Sequence, residues 1–183
     1  MGTRSVIEFA HKDKVLAYIY RHWDGYPSRD GMPCSLLEFF LELEANVEDR
    51  RFDDPQYLAA KFVVWQAKVY AKRFDYKSGK DKPTHYLDFL GVGITTGAES
   101  AHPDIEFVYR VDCNGSDENG MPLIRWRHVH EEKDCRNDYE WHDIEYERTK
   151  AGGICYQLGV KVYEEEDEGK KDEWIEVLPA EKE

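Results

Sequence analysis

From Arg4 to Phe9 polar and apolar residues mix at the two-residue period of a strand, Lys12-Asp13-Lys14 is a polar turn, and Val15 to Tyr20 resumes as a second strand. A β-hairpin is expected, and antiparallel pairing sets the start of its first strand beside the end of its second. Residues 2–5 should therefore meet the loop that follows Tyr20. The period then turns helical. Ser35-Leu36-Leu37-Glu38 reads as a capping box, serine and glutamate each satisfying a free amide donor, so a helix is expected to start there. Leu36, Phe40, Leu43 and Val47 follow on one face, with Glu38, Glu42 and Glu44 outside. Asp54-Pro55 opens a second helix, since proline at the first helical position lacks only an N–H that would have no partner. Its stripe is Leu58, Phe62, Trp65 and Val69, and Lys72-Arg73 are placed at its C-terminal end, where cations complement the helix dipole. Both stripes read as core packing.

Beyond a polar connector from Tyr76 to Thr84 the alternation is strand-like to the end. Strands are expected near Tyr86–Thr95, Ile105–Asp112, Leu123–His130, Tyr139–Tyr146, Ile154–Tyr163 and Glu173–Leu178. The fold class that follows is α+β over a single domain, residues 1–183: a mainly antiparallel β-sheet with an N-terminal β-hairpin and two helices packed on one face.

Composition narrows the function classes. The chain has 183 residues, a net charge of −13 and 14% aromatic residues. It shows no apolar run of membrane-spanning length and no secretory leader pattern, so a cytoplasmic protein is expected. The four cysteines, Cys34, Cys113, Cys135 and Cys155, form no CxxC pair and are expected as free thiols. Residues 164–183 hold ten acidic and three basic residues, and Glu164-Glu165-Glu166-Asp167-Glu168 supplies most of that charge. Such a field repels phosphate backbones and disfavours direct nucleic-acid binding, while it suits a basic groove on a protein partner. A solvated acidic hairpin loop explains the same residues without a partner.

The best candidate site is the run from Arg21 to Gly31 taken with residues 2–5. Removal of Met1 would leave the Gly2 ammonium followed by Thr3, Arg4 and Ser5. Beside Arg21, His22 and Arg29 these donors suit a phosphate or carboxylate, with Trp23 or Tyr26 to stack on a ring. If there is catalysis, His22 would be the acid or base and Asp24 its orienting partner. The competing explanation is structural: Asp24-Gly25 and Tyr26-Pro27 are turn chemistry, and the two aromatic rings cover the core edge. Val6 stands where a myristoylation signal needs serine or threonine.

Other chemistry is weaker. His128 and His130 share a strand face with His142 near in sequence, a metal pair without the spacing of a zinc motif. The segment from Asp112 to Glu118 has oxygen ligands but carries Asp117 where a calcium loop needs glycine, and two Asn-Gly turns, Asn114-Gly115 and Asn119-Gly120, explain it better. No phosphate loop, serine elbow, zinc-protease or dinucleotide fingerprint is present, and no cofactor is expected. Spacing therefore favours a binding protein over an enzyme.

Met-Gly-Thr-Arg-Ser at 1–5, His-Trp-Asp-Gly-Tyr-Pro-Ser at 22–28, Gly31, Leu37-Glu38-Phe39 and the strand from Ile105 to Asp112 together resemble a family of small, uncharacterised proteins of phages, prophages and bacteria. The resemblance is densest in the opening third. It implies a phage or mobile-element origin and no particular chemistry, and it points again to Gly2, Thr3, Arg4 and Ser5 with His22, Trp23, Asp24 and Tyr26. In that setting the leading expectation is a non-catalytic acidic protein that acts on a host protein complex, a defence assembly of the CRISPR type being one example, in the host cytoplasm. The alternative is a nucleotide- or anion-binding module, or a hydrolase, with its pocket between residues 2–5 and 21–31.

Overall fold

A computed structural model describes residues 2–28, 30–78, 91–97, 104–116, 120–129, 140–158 and 174–178. The hairpin forms as the alternation predicts. Strand β1 (Ser5–His11) pairs antiparallel with β2 (Lys14–Arg21), with Ser5 opposite Arg21 and His11 opposite Lys14. Lys12 and Asp13 turn the chain with φ of 49° and 61°, the left-handed region that a two-residue hairpin loop demands at both positions.

Helix α1 runs from Met32 to Asn46, three residues ahead of the capping box. Gly31 is its N-cap and Pro33 lies in its first turn, where proline is pre-set for the helix. The Ser35 amide already bonds the Gly31 carbonyl at 3.2 Å, so Ser35 is an interior, buried position. Glu38 accepts from the Cys34 thiol instead of reaching back to a cap. Leu37, Phe39 and Leu41 are buried as fully as Leu36, Phe40 and Leu43, so α1 is covered on more than one side.

Helix α2 spans Pro55–Ser78, and its start is the one the sequence announces. The Asp54 carboxylate accepts from the Tyr57 amide at 3.1 Å, an N-cap that serves one of the four free donors of the first turn. Lys72 and Arg73 fall inside this helix, because its apolar positions continue through Ala67 and Tyr70 into the core.

The strands β3 (Val92–Ile94), β4 (Phe107–Ser116), β5 (Pro122–His128) and β6 (His142–Asp143) extend the hairpin into a six-stranded sheet of order β3-β2-β1-β4-β5-β6. Every pair is antiparallel except β1 with β4, which puts the first strand at the centre, buried on both faces. Asn114-Gly115 lies within β4, at a register irregularity between Asp112 and Ser116, and is not a turn; Asn119 is outside the described residues. The expected strand Tyr139–Tyr146 splits in two. Ile144 is buried between β6, in the large sheet, and β7 (Glu145–Arg148), which pairs with β8 (Ile154–Gln157) and β9 (Ile175–Val177) in a three-stranded sheet.

The second sheet explains the extra burial of α1. Ile154, Tyr156 and Val177 join one hydrophobic cluster with Leu36, Leu37, Phe39 and Phe40 of α1, Leu58 and Phe62 of α2, and Ile7, Phe9, Tyr109 and Val111 of the large sheet. Arg148 pairs with Glu44 of α1 across the same join. The architecture is α+β and mainly sheet. Among the described residues no helix is long and apolar enough to cross a membrane.

Candidate functional site

Counting by two along β2, Ala17, Ile19 and Arg21 share a face, and Ile19 is in the core. Arg21 therefore points inward at the last position of the strand. Its side chain is 1% exposed and meets Met32 at the start of α1 and the Tyr70 ring of α2, 5.8 Å from its guanidinium carbon. The Nε donates to the Trp23 carbonyl at 2.6 Å, and one terminal nitrogen lies 3.6 Å from the Met32 sulfur, a weak acceptor. Among the described residues its nearest carboxylate is Asp24, at 4.0 Å and 36% exposed. A guanidinium is always charged, and taking it from water costs several kcal/mol unless it is well paired. At 4.0 Å the pairing is loose.

The expected meeting of the N-terminal residues with this loop takes place. The Gly25 amide donates to the Thr3 carbonyl at 3.0 Å, and a Cβ on Gly25 would stand 2.8 Å from the Ser5 hydroxyl, so only glycine permits that approach. Ser5 faces Arg21 in register, and its buried Oγ has no hydrogen-bond partner among the described residues. The loop is pinned from above and below: Tyr109 of β4 donates to the Gly25 carbonyl at 3.0 Å, Tyr156 of β8 to the Ser28 carbonyl at 3.3 Å, and Met32 closes on the Tyr26 carbonyl at 3.1 Å.

Several expected roles are taken up by the protein itself. Arg4 pairs with Asp104 at 2.8 Å, away from the partners of Arg21, so the two guanidiniums do not form one phosphate clamp. His22 Nδ1 lies 3.2 Å from the Tyr20 hydroxyl, while Asp24 faces Arg21; histidine and aspartate are not the hydrogen-bonded pair that an acid–base role requires. Trp23 stacks edge-on with His22 and Tyr70 and lies against Gly2 and Gly91, which leaves its ring engaged. Tyr26 packs against the core cluster. Arg29 lies outside the described residues, as do Glu164, Glu165, Glu166, Asp167 and Glu168.

The Trp126 ring stands beside both His128 and His142, with centroids 6.1 Å and 4.9 Å away, and His130 is outside the described residues. Among the described residues no three histidine, cysteine or acidic groups come together. Cys34, Cys113 and Cys155 are free thiols, and burial, with Asp112 adding to it, pushes Cys113 up to about 12, the opposite of an activated nucleophile.

Tyr109, Met32 and Tyr70 complete the corner and were not evident in the sequence as site residues; only register could have placed them. No protein-family model, curated protein or solved structure matches this chain.

Burial, only partly offset by Arg21, holds the Tyr109 phenol well above its ordinary range, with Tyr156 adding to the rise. The unfolded phenol ionises near pH 10 whereas the folded one keeps its proton, so its contribution is intact below about pH 10 and is lost as pH rises through the folded value. Denaturant unfolding followed at rising alkaline pH should show stability falling more gently in Tyr109→Phe than in the parent chain. Parallel pH curves would contradict the assignment.

Proposed function

We propose that this chain is a binding module for a small oxyanion, such as a nucleotide phosphate, received at the corner between residues 2–5 and 21–28 with Arg21 as its anchor. The observation that carries the reading is the Arg21 guanidinium, almost wholly buried, with its nearest carboxylate among the described residues 4.0 Å away. A bound anion would supply the charge and acceptors that Arg21 lacks, and the Ser5 hydroxyl beside it would gain a partner. Asp24, partly exposed and at φ 54°, competes for the same guanidinium and would yield to the ligand. Arg4, His22, Trp23 and Tyr26 shape the corner in this reading and do not carry the charge.

Isothermal titration with inorganic phosphate and a nucleotide tests it through two variants. Arg21→Met should lose about 1.5–3 kcal/mol of binding, the usual worth of a charged hydrogen bond. Asp24→Asn removes the competitor, leaves the guanidinium in place and should tighten binding. Unchanged affinity in both variants would count against the corner.

A second proposal rests on charge. The acidic segment 164–183 carries net −7 of the chain's −13. It supports a non-catalytic protein that occupies a basic groove on a protein complex; with the phage origin that the resemblance of the opening third implies, that complex would be a host assembly such as a CRISPR-type defence. Reversing the charge of residues 164–168 should abolish capture of such a complex, and undiminished capture would remove this mechanism.

A further inference from the structure

In the three-stranded sheet, register sets Glu147 of β7, Cys155 of β8 and Glu176 of β9 in one row, with Glu145 opposite Gln157 in the next. Tyr146, Ile154, Tyr156 and Val177 alternate with them and pack into or against the core, so these rows lie on the outer face of the sheet. Continuing the register along β9 places Trp174 beside Gln157, and alternation puts Trp174 and Leu178 on the same face as Glu176. Both are exposed, at 42% and 59%. The face has carboxylates along β7, a ring, a carboxylate and an apolar side chain along β9, and between them a strand whose outward side chains are Cys155 and Gln157.

The charge of this face has one sign. Glu145, Glu147 and Glu176 are exposed, and among the described residues none of them joins an ion pair. Glu145 accepts a bond from the Gln157 amide at 3.4 Å, a neutral contact. Arg148 of β7 turns to the other side and pairs with Glu44 of α1, and Lys150 is exposed in the turn beyond. The stretches that run into and out of this sheet, residues 159–173 and 179–183, hold nine acidic residues and four lysines, so the chain on either side adds to the negative charge. Trp174 brings a second feature: an indole face attracts cations, and among the described residues no arginine or lysine stacks on it.

We propose that the outer face of the three-stranded sheet is a docking surface for an extended, arginine-bearing segment of a protein partner, laid along β8. Side chains two apart in an extended segment repeat at about 6.8 Å, the spacing of Glu145 and Glu147 along β7, so cations at alternate positions meet both carboxylates. Across the sheet, Trp174 stacks a further guanidinium beside Glu176, and Leu178 covers its aliphatic stem. Arginine suits this face because its planar fork pairs with a carboxylate while its plane stacks on an aromatic ring. The same field repels phosphate-bearing partners. The proposal uses no part of the corner at Arg21, and it shares with the acidic-segment reading only the sign of the partner's charge.

The test is a titration of the ¹⁵N-labelled full chain at constant ionic strength, with the Trp174 indole N–H resonance, assigned by its loss in Trp174→Phe, as readout. The probes are a capped octapeptide of arginine alternating with threonine and, separately, spermine, a polyamine of the same charge. A saturable shift is expected with the peptide, at lower concentration than with spermine. Glu147→Gln combined with Glu176→Gln, both exposed, should weaken the peptide about fivefold. Replacing the acids at 164–168 by their amides should leave the Trp174 shift saturable, which separates this face from the acidic segment. No saturable shift, spermine binding as tightly as the peptide, unchanged affinity in the double variant, or loss of the shift in the 164–168 variant would overturn the proposal.

Discussion

The architecture turns on a buried arginine. Arg21 closes β2, and from that one position its side chain reaches the start of α1 at Met32, the ring of Tyr70 on α2 and the carbonyl of Trp23 in the loop. The loop, the N-terminal residues and both helices therefore share a single charged centre. A hydrophobic residue of similar volume would fill the same space without the desolvation cost. In the proposed reading the arginine is kept for its charge, which the loosely held Asp24 leaves available.

Around this centre the fold builds rigidity from layers. The central strand β1 is covered on both faces, and α1 is enclosed between the large sheet and the smaller one, which is why its apolar residues exceed a single stripe. Tyr109 and Tyr156 reach the loop from the two sheets with hydroxyl donors, so the loop backbone at Gly25 and Ser28 is fixed by residues far apart in sequence. A corner held from both sheets is organised in advance, which would lower the ordering cost of binding a ligand there.

Much of this was legible because strand period and antiparallel pairing are strict rules. They bring Thr3 to Gly25, and the Asp54 cap and Pro55 open α2 where the residues say. The start of α1 was hidden because Ser35 and Glu38 match a cap while Gly31 and Pro33, also helix-opening residues, stand just upstream. The break at Ile144 could not be read, since two short strands of opposite sheets keep one continuous alternation. Trp23 and Tyr26 read in sequence either as stacking rings or as cover for the core edge; the packing of Gly2, Gly91, Tyr70 and the core shows them engaged. The inward turn of Arg21 and the outward row of Glu145 and Glu147 both follow from counting by two, a signal present in the sequence once the register is known.

The corner and the outer face of the small sheet carry charge of opposite sign, the first enclosed among loop and helices and the second exposed. The claim that Arg21 serves a ligand is tested most directly by native mass spectrometry of the chain isolated without denaturation from the cells that make it, beside Arg21→Met treated in the same way. The account predicts a population heavier by the mass of a small phosphate-bearing anion in the parent chain and its loss in the variant. A bare chain in both, or the same adduct in both, would contradict it.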